Sequence, residues 1–388
     1  MKKIGVIGVG KLGLSFALLA EHKGYEVIGS DISKEYVDQL NHKTLKSNEP
    51  YIEEFLKESS KFYVTTHNVE VIENTDIIFT FVPTPSLPTG EYNHEYVEQV
   101  VESFEMMYNN GHDLVGKILV VGCTTNPGYV DTITERLSKF GMDVCYNPEF
   151  IAQGDIVNGL KYADMVLIGT SSMVEVERVK DIYKILMDDE NPKFNVMSNT
   201  AAEITKISVN CYLTTKISFA NMIGEICHNT GIGEEVETVL SAIGDDTRVG
   251  KKYLNYGFGF GGPCLPRDNR ALGVHAEKVG LEINLPLEVD KFNIEHHKYL
   301  VNKFVMENPN RNTTFVFNSV TYKKGTDLLI ESQQLNLLLS LLTEGYRCVV
   351  IDIDEVREQL ENPLTKTYGN KIKFQPIGTT AEGVKIIL

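Results

Sequence analysis

Short apolar runs recur at residues 3–8, 26–31, 75–82, 117–122 and 165–169, with amphipathic stretches between them, for instance at 12–23 and 94–107. Runs of this length bounded by turn formers read as strands, and apolar positions returning every three or four residues read as helices. Their alternation predicts βαβ units on a parallel sheet. The rhythm changes near Ser198. From there to about Asn229 the chain has no proline and one glycine, Gly224, and its apolar spacing predicts one long helix. More helical pattern at 234–242 and 268–279 brackets a glycine-rich loop. From about residue 312 the strand–helix rhythm returns, with strands at 313–317, 348–353 and 385–388 and a helix at 332–343. The pattern predicts three parts: an N-terminal α/β domain (1–197), a helical middle (198–300) and a smaller C-terminal α/β domain (301–388).

Length agrees with this division, since 388 residues exceed what one ordinary core accommodates. No apolar run approaches the roughly 18–20 residues that span a bilayer. The opening Met1-Lys2-Lys3-Ile4-Gly5-Val6-Ile7-Gly8 is broken by glycines that suit a strand and turn better than a signal peptide, so a cytoplasmic protein is expected. A formal charge of −16 excludes a general nucleic-acid or anionic-membrane surface, which needs clustered cations. A phosphorylated small molecule remains possible through local cations or helix N-termini. The six cysteines (123, 145, 211, 227, 264 and 348) form no CxxC pair and no metal-ligand spacing, so no metal is expected. Scattered cysteines behave mostly as small buried hydrophobes. That description suits five of them and leaves Cys264.

Gly8-Val9-Gly10-Lys11-Leu12-Gly13 is a GxGxxG motif that follows an apolar strand and opens an amphipathic helix. Gly8 permits a tight turn, Gly10 lets a pyrophosphate approach the backbone, and Gly13 lets helix and strand pack closely. The helix N-terminus faces the phosphate charge. Asp31 ends the next strand, placed to accept hydrogen bonds from an adenosine ribose and to repel a 2′-phosphate, which favours NAD over NADP.

The densest chemistry lies in Gly257-Phe258-Gly259-Phe260-Gly261-Gly262-Pro263-Cys264-Leu265-Pro266-Arg267-Asp268. Four glycines in six residues are costly in regular structure and make sense where backbone passes close to a ligand. A cysteine ending such a loop, just before a helical pattern opening at Asp268, can have its thiolate stabilised by helix-terminal amides. On these grounds alone Cys264 is either a nucleophile or a buried structural thiol. Lys206 and Asn210, four apart on the long helix, project from one face, as donors toward a substrate or as a solvated polar stripe.

With these motifs the chain resembles the UDP-glucose/GDP-mannose dehydrogenase family. The resemblance rests on the GxGxxG and Asp31, Val82-Pro83-Thr84-Pro85, Cys123-Thr124, Asn147-Pro148-Glu149-Phe150, and Ala202-Glu203-Ile204-Thr205-Lys206 with Asn210-Cys211-Tyr212-Leu213. It continues through Asp246-Thr247-Arg248-Val249-Gly250, the Cys264–Asp268 loop and Tyr322-Lys323, the last standing where the family has Phe-Lys. It implies a Rossmann-type NAD domain, a central long-helix dimerisation region and a smaller Rossmann-like domain for the sugar nucleotide. The activity implied is a four-electron oxidation of a UDP-sugar at C6, passing through a thiohemiacetal and a thioester on Cys264, in service of polysaccharide synthesis. Lys206 and Asn210 would donate to the oxygen on the reacting carbon. Glu149 and Asp268 would assist proton transfer and water activation, with Thr124 placing the water. NAD contacts are implied for Lys11, Leu12, Thr84, Thr124, Gln153 and Arg267. Substrate contacts are implied for Glu149, Phe150, Lys206, Asn210, Tyr253, Gly261, Tyr322 and Lys323, and for Arg248 across a homodimer. Lys251 and Lys252 are further cations available for a diphosphate.

Several positions depart from the family pattern. Gln153 stands where a second Glu is usual, Ile330 where the C-terminal motif has Arg, and Asn318-Ser319-Val320-Thr321-Tyr322 lacks the usual glycine. The chain ends at Leu388, where family members continue to a further basic contact, so a shortened C-terminal domain is expected. All of these fall on the sugar-nucleotide side. They leave GDP-mannose as the alternative substrate and a non-catalytic nucleotide-sugar-binding protein as the alternative function.

Overall fold

A computed structural model describes residues 2–151, 154–189, 191–323 and 325–386, with Val174 described in its backbone alone. The chain forms two compact units, Met1–Ile207 and Ser208–Leu388. The boundary falls inside the helix Asn199–Asn229, which runs unbroken for 31 residues as its lack of proline predicts.

In the first unit the apolar runs become strands: β1 (Lys3–Ile7), β2 (Glu26–Ser30), β3 (Phe62–Thr65), β4 (Ile77–Thr80), β5 (Ile118–Val121), β6 (Asp143–Tyr146), β7 (Val166–Gly169) and β8 (Phe194–Met197). They form one sheet in the order β3-β2-β1-β4-β5-β6-β7-β8. The first six are parallel, and β6 meets β7 antiparallel at Tyr146 and Gly169, so the last two strands run the other way. β5, Ile-Leu-Val-Val, is buried along its length. Its alternating side chains send Ile118 and Val120 into one core, with Phe16, Phe79 and Leu19, and Leu119 and Val121 into another, with Val97, Phe104 and Ile133. A parallel sheet covered on both faces reads as such a continuous apolar run. The edge strand β3, with an exposed Tyr63, and the four-residue β6 and β8 carry no comparable run, which is why pattern alone does not place them.

The second unit holds the rest of the long helix and the helices Val236–Asp245, Leu265–Lys278 and Leu285–Glu307. It ends in a parallel sheet of β9 (Thr314–Phe317), β10 (Arg347–Asp352), β11 (Ile372–Pro376) and β12 (Val384–Lys385), ordered β11-β10-β9-β12. The helix Gln333–Thr343 begins where its pattern predicts, with Ser332 Oγ accepting from the Leu335 N–H at 3.2 Å as the N-cap. Phe315, Phe317, Leu337, Leu341 and Cys348 form the core between this helix and the sheet. The helix read from residue 268 opens earlier, at Leu265, because Pro266 lies in the first turn, where a missing N–H costs nothing.

Phe79 is fully buried with its ring centroid 4.5 Å from that of Phe16. Phe79→Ala is expected to lower unfolding stability by about 3–5 kcal/mol in urea denaturation, and a loss below about 1 kcal/mol would contradict the packing described.

Candidate active site

In an open parallel sheet, ligands bind outside the carboxyl ends of the strands, where strand order reverses. In the first unit that reversal lies between β1 and β4. Gly8 leaves β1 with φ +87, a conformation that favours glycine. Its N–H and that of Val9 both reach the Ser30 carbonyl at the end of β2, at 2.9 and 3.3 Å. A Cβ on Gly13 would stand 2.0 Å from the Gly8 carbonyl oxygen, so helix and turn touch there. A Cβ on Gly10 would meet nothing within 4 Å. The helix Lys11–His22 therefore starts with open space in front of its first amides, which fits the pyrophosphate of a dinucleotide. Asp31 follows β2 and accepts the Ser33 N–H at 3.1 Å, while the Tyr36 hydroxyl donates to the Val9 carbonyl at 3.0 Å. Thr84 and Thr124 lie on the loops after β4 and β5, on the same edge of the sheet.

Glu149 and Phe150 follow β6 on that edge. Tyr183 Oη lies 2.5 Å from Glu149 Oε1 and 2.7 Å from Asn147 Oδ1. Glu149 keeps some contact with solvent but is crowded on most sides. Burial pushes its carboxyl up to about 7, against the opposing pull of the Tyr183 hydrogen bond and of Lys206. Lys206 is itself buried, its Nζ 4.8 Å from the centre of the Phe150 ring. One turn earlier on the same helix, the fully buried Glu203 accepts from Thr125 Oγ1 at 2.7 Å, the Gly128 N–H at 2.6 Å and the Val130 N–H at 3.0 Å. Burial raises its carboxyl to about 7 as well, although all three hydrogen bonds pull it down. Thr125 is thus turned inward onto Glu203, while its neighbour Thr124 stays partly exposed.

The second unit carries the thiol. Cys264 is exposed, whereas Cys123, Cys145, Cys211, Cys227 and Cys348 are buried. Burial pushes the Cys123, Cys145 and Cys348 thiols up to about 12, which keeps them protonated and inert. Cys264 occupies the N-cap position of the helix Leu265–Lys278, whose first turn contains the buried Asp268. Asn210 Nδ2 donates to Asp268 Oδ2 at 2.5 Å, leaving its second N–H for another acceptor. The loop's glycines turn out to make room for protein. A Cβ at 259 would meet Asn293 Oδ1 at 2.1 Å, one at 261 the Glu331 carbonyl at 2.2 Å, and one at 262 the Tyr322 ring at 2.4 Å. Gly262 also takes φ +81. Arg267 is partly buried, Lys323 is exposed, and Tyr253 is exposed with φ +62. Arg248 reaches into solvent with its guanidinium on Asp246, at 2.7 and 3.0 Å, and Lys251 pairs with Asp245 at 2.6 Å. Gln153 lies outside the described residues.

Pattern reading named none of Tyr183, Asn293 or the part played by Glu203. Tyr183 lies 34 positions from Glu149, and Asn293 lies 33 from Phe260, so no local motif links them.

The fold and the first unit's turn define a dinucleotide-binding protein. Residues 2–187 match the UDP-glucose/GDP-mannose dehydrogenase family, NAD binding domain, and residues 200–295 match that family's central domain. The chain belongs to the UDP-glucose/GDP-mannose dehydrogenase family, with NAD as cofactor and nucleotide-sugar oxidation as its class of reaction. It is 27% identical to the UDP-glucose 6-dehydrogenase of Rickettsia typhi, over 99% of this chain and 88% of that one. The GDP-mannose 6-dehydrogenase of Pseudomonas putida is 29% identical, over 90% of this chain and 80% of that one. The structure of a UDP-glucose dehydrogenase from Pyrobaculum islandicum superposes with a TM-score of 0.83 at 26% identity, covering 96% of this chain and 86% of that one.

The raised Glu149 carboxyl has a consequence for stability. A folded-state value near 7 against an ordinary value of about 4.3 favours the protonated form on folding, so this contribution is complete below the ordinary value and is lost as pH rises toward 7. Glu149→Gln removes that dependence. Relative to wild type, the variant should gain stability between about pH 5 and about pH 8 in urea denaturation, and parallel curves would refute the assignment.

Proposed function

We propose that the chain oxidises the C6 primary alcohol of a UDP-sugar, UDP-glucose foremost, to the carboxylate through a covalent adduct on Cys264. One observation carries this reading: of six cysteines, Cys264 alone is exposed, and it caps a 14-residue helix. Membership of the family and the UDP-glucose dehydrogenase activity of the Rickettsia and Pyrobaculum relatives support the substrate.

When bound, NAD would supply the hydride acceptor, with one NAD used for each of the two oxidations at C6 and the reduced cofactor exchanged between them. In the first, the alcohol loses a proton and a hydride and becomes an aldehyde. Cys264 Sγ then bonds to the aldehyde carbon, and the oxygen takes up a proton to give a thiohemiacetal. Loss of that proton with a second hydride leaves a thioester, and water displaces the sulfur to release the carboxylate. In this scheme Lys206 and Asn210 donate to the C6 oxygen while it carries negative charge. Glu149, near 7, can hold or release a proton at working pH, and Asp268 and Thr124 serve the attacking water. Gly8, Gly10, Lys11, Leu12, Gly13, Asp31, Thr84, Gln153 and Arg267 are assigned to the dinucleotide. Phe150, Arg248, Tyr253, Gly261, Tyr322 and Lys323 are assigned to the nucleotide sugar. The family matches at 2–187 and 200–295 support an NAD domain and a central domain, and a C-terminal sugar-nucleotide domain at 301–388 belongs to the same proposal.

A homodimer through the long helix belongs to the same proposal. Tyr212, Phe219, Met222 and Ile226 recur at spacings of seven, three and four and are all exposed, so one stripe of the helix is apolar and uncovered. Cytoplasmic placement is also proposed. Among the described residues no helix is long and apolar enough to cross a membrane.

Purified protein with UDP-glucose and NAD should yield two reduced cofactors per sugar, read by nicotinamide absorbance. Cys264→Ser should form no carboxylate, and Lys206→Ala should lose about 10²–10³-fold in kcat. Full turnover by Cys264→Ser would defeat the mechanism. Turnover with GDP-mannose alone would move the substrate to the second relative's, and binding without turnover would make the protein a non-catalytic one. For the dimer, Phe219→Glu with Ile226→Glu should halve the mass in sedimentation equilibrium, and an unchanged mass would exclude this interface.

A further inference from the structure

The segment from Gly257 to Gly262 has two phenylalanines and no polar side chain with which to bond to itself, yet its backbone polar groups are held one after another by side chains from elsewhere in its unit. Asn221 accepts the Gly257 N–H at 3.0 Å and donates to the Phe258 carbonyl at 3.3 Å. The His296 ring, fully buried, places Nε2 2.7 Å from the Gly257 carbonyl and Nδ1 2.6 Å from Glu225. Gln333 donates to the Phe260 carbonyl at 3.2 Å. Asn293 does the most at one point, accepting the Phe260 N–H at 2.9 Å and donating to the Phe260 carbonyl at 2.9 Å. One carboxamide closes both bonds to one residue, as a paired strand does. It does so while 8% exposed, where an unmet polar group is expensive. The absence of a side chain at 259 is its counterpart, since a Cβ there would lie 2.1 Å from Asn293 Oδ1.

Downstream of Phe260 the chain is fixed once more, by the Gly262 N–H on the Ile330 carbonyl at 3.1 Å, before Cys264 caps its helix. We propose that Asn293 is a positioning residue for Cys264, holding Phe260 so that the two following glycines deliver the thiol at the helix start. The proposal rests on reading Cys264 as the nucleophile, and its test separates the two ideas.

Two variants and two readouts suffice. Asn293→Leu keeps the volume and removes both bonds. Asn293→Asp can accept the Phe260 N–H when ionised but repels the Phe260 carbonyl, whereas its protonated form can both accept and donate. The first readout is the rate at which iodoacetamide alkylates Cys264 in the native full chain, with the modified residue identified by mass spectrometry. The second is kcat and KM with UDP-glucose and NAD. Asn293→Leu should slow alkylation at neutral pH by about threefold or more and lower kcat by about 10–10²-fold with KM for NAD unchanged, since small misplacements of a reacting group act on the chemical step. The Asn293→Asp alkylation rate, taken as a ratio to wild type, should climb back toward one as pH falls through the range of the introduced carboxyl. His296 and Glu225 are common to both proteins and cancel in that ratio. If Asn293→Leu fails to fold, the Asp ratio alone decides. Alkylation within about twofold of wild type, or an Asp ratio flat with pH, overturns the proposal. If the ratio follows pH but wild type oxidises no nucleotide sugar, the positioning role stands and the dehydrogenase mechanism falls.

Discussion

A reacting thiol has to be open to its substrate and yet stand still. Exposure and rigidity conflict, because most of what immobilises a side chain also covers it. For Cys264, proposed as such a thiol, the backbone is fixed on either side of the sulfur. The chain before Cys264 is held through its own carbonyls and N–H groups by Asn221, Asn293, His296 and Gln333, and the chain after it enters a helix at once. The glycines follow from this arrangement. Three of them leave room for Asn293, Glu331 and Tyr322, so the loop is lean in side chains because neighbouring protein occupies their space.

The first unit solves the complementary problem of placing charge at the edge of a sheet. Parallel strands end together, and the loops after β1, β2, β4, β5 and β6 collect Gly8, Asp31, Thr84, Thr124 and Glu149 along one edge. Two carboxyls there are taken far from their ordinary state by burial, Glu149 and Glu203 both near 7. Their environments differ. Glu203 is locked by three donors and spends its charge holding the Thr125 loop and the start of the helix Tyr129–Leu137. Glu149 has a hydroxyl and a buried lysine for company and keeps some solvent, which suits a group that exchanges protons. In a chain of net charge −16, such local arrangements decide what is bound, and the total does not.

Much of the fold was legible in the order of residues. The strands β1, β2, β4, β5 and β7, the long helix and the return of strand–helix alternation near β9 all follow from periodicity, because burial on both faces of a parallel sheet demands unbroken apolar runs. The short or edge strands β3, β6 and β8 escape that logic, since pairing with neighbours and not composition makes them strands. The turn at Gly8–Gly13 was legible in the parts played by Gly8 and Gly13, because a positive φ and a 2.0 Å approach are local demands.

What the sequence determined by itself is therefore whatever a few neighbouring residues can enforce: the dinucleotide turn, the strands with long apolar runs, the long helix and the presence of a cysteine in a loop of unusual composition. Only the tertiary structure decided which cysteine is exposed, that Tyr183 and Lys206 attend Glu149, and that a single asparagine 33 residues away clasps Phe260. Desolvation and hydrogen bonding between distant segments depend on distances that folding sets, and no spacing along the chain records them.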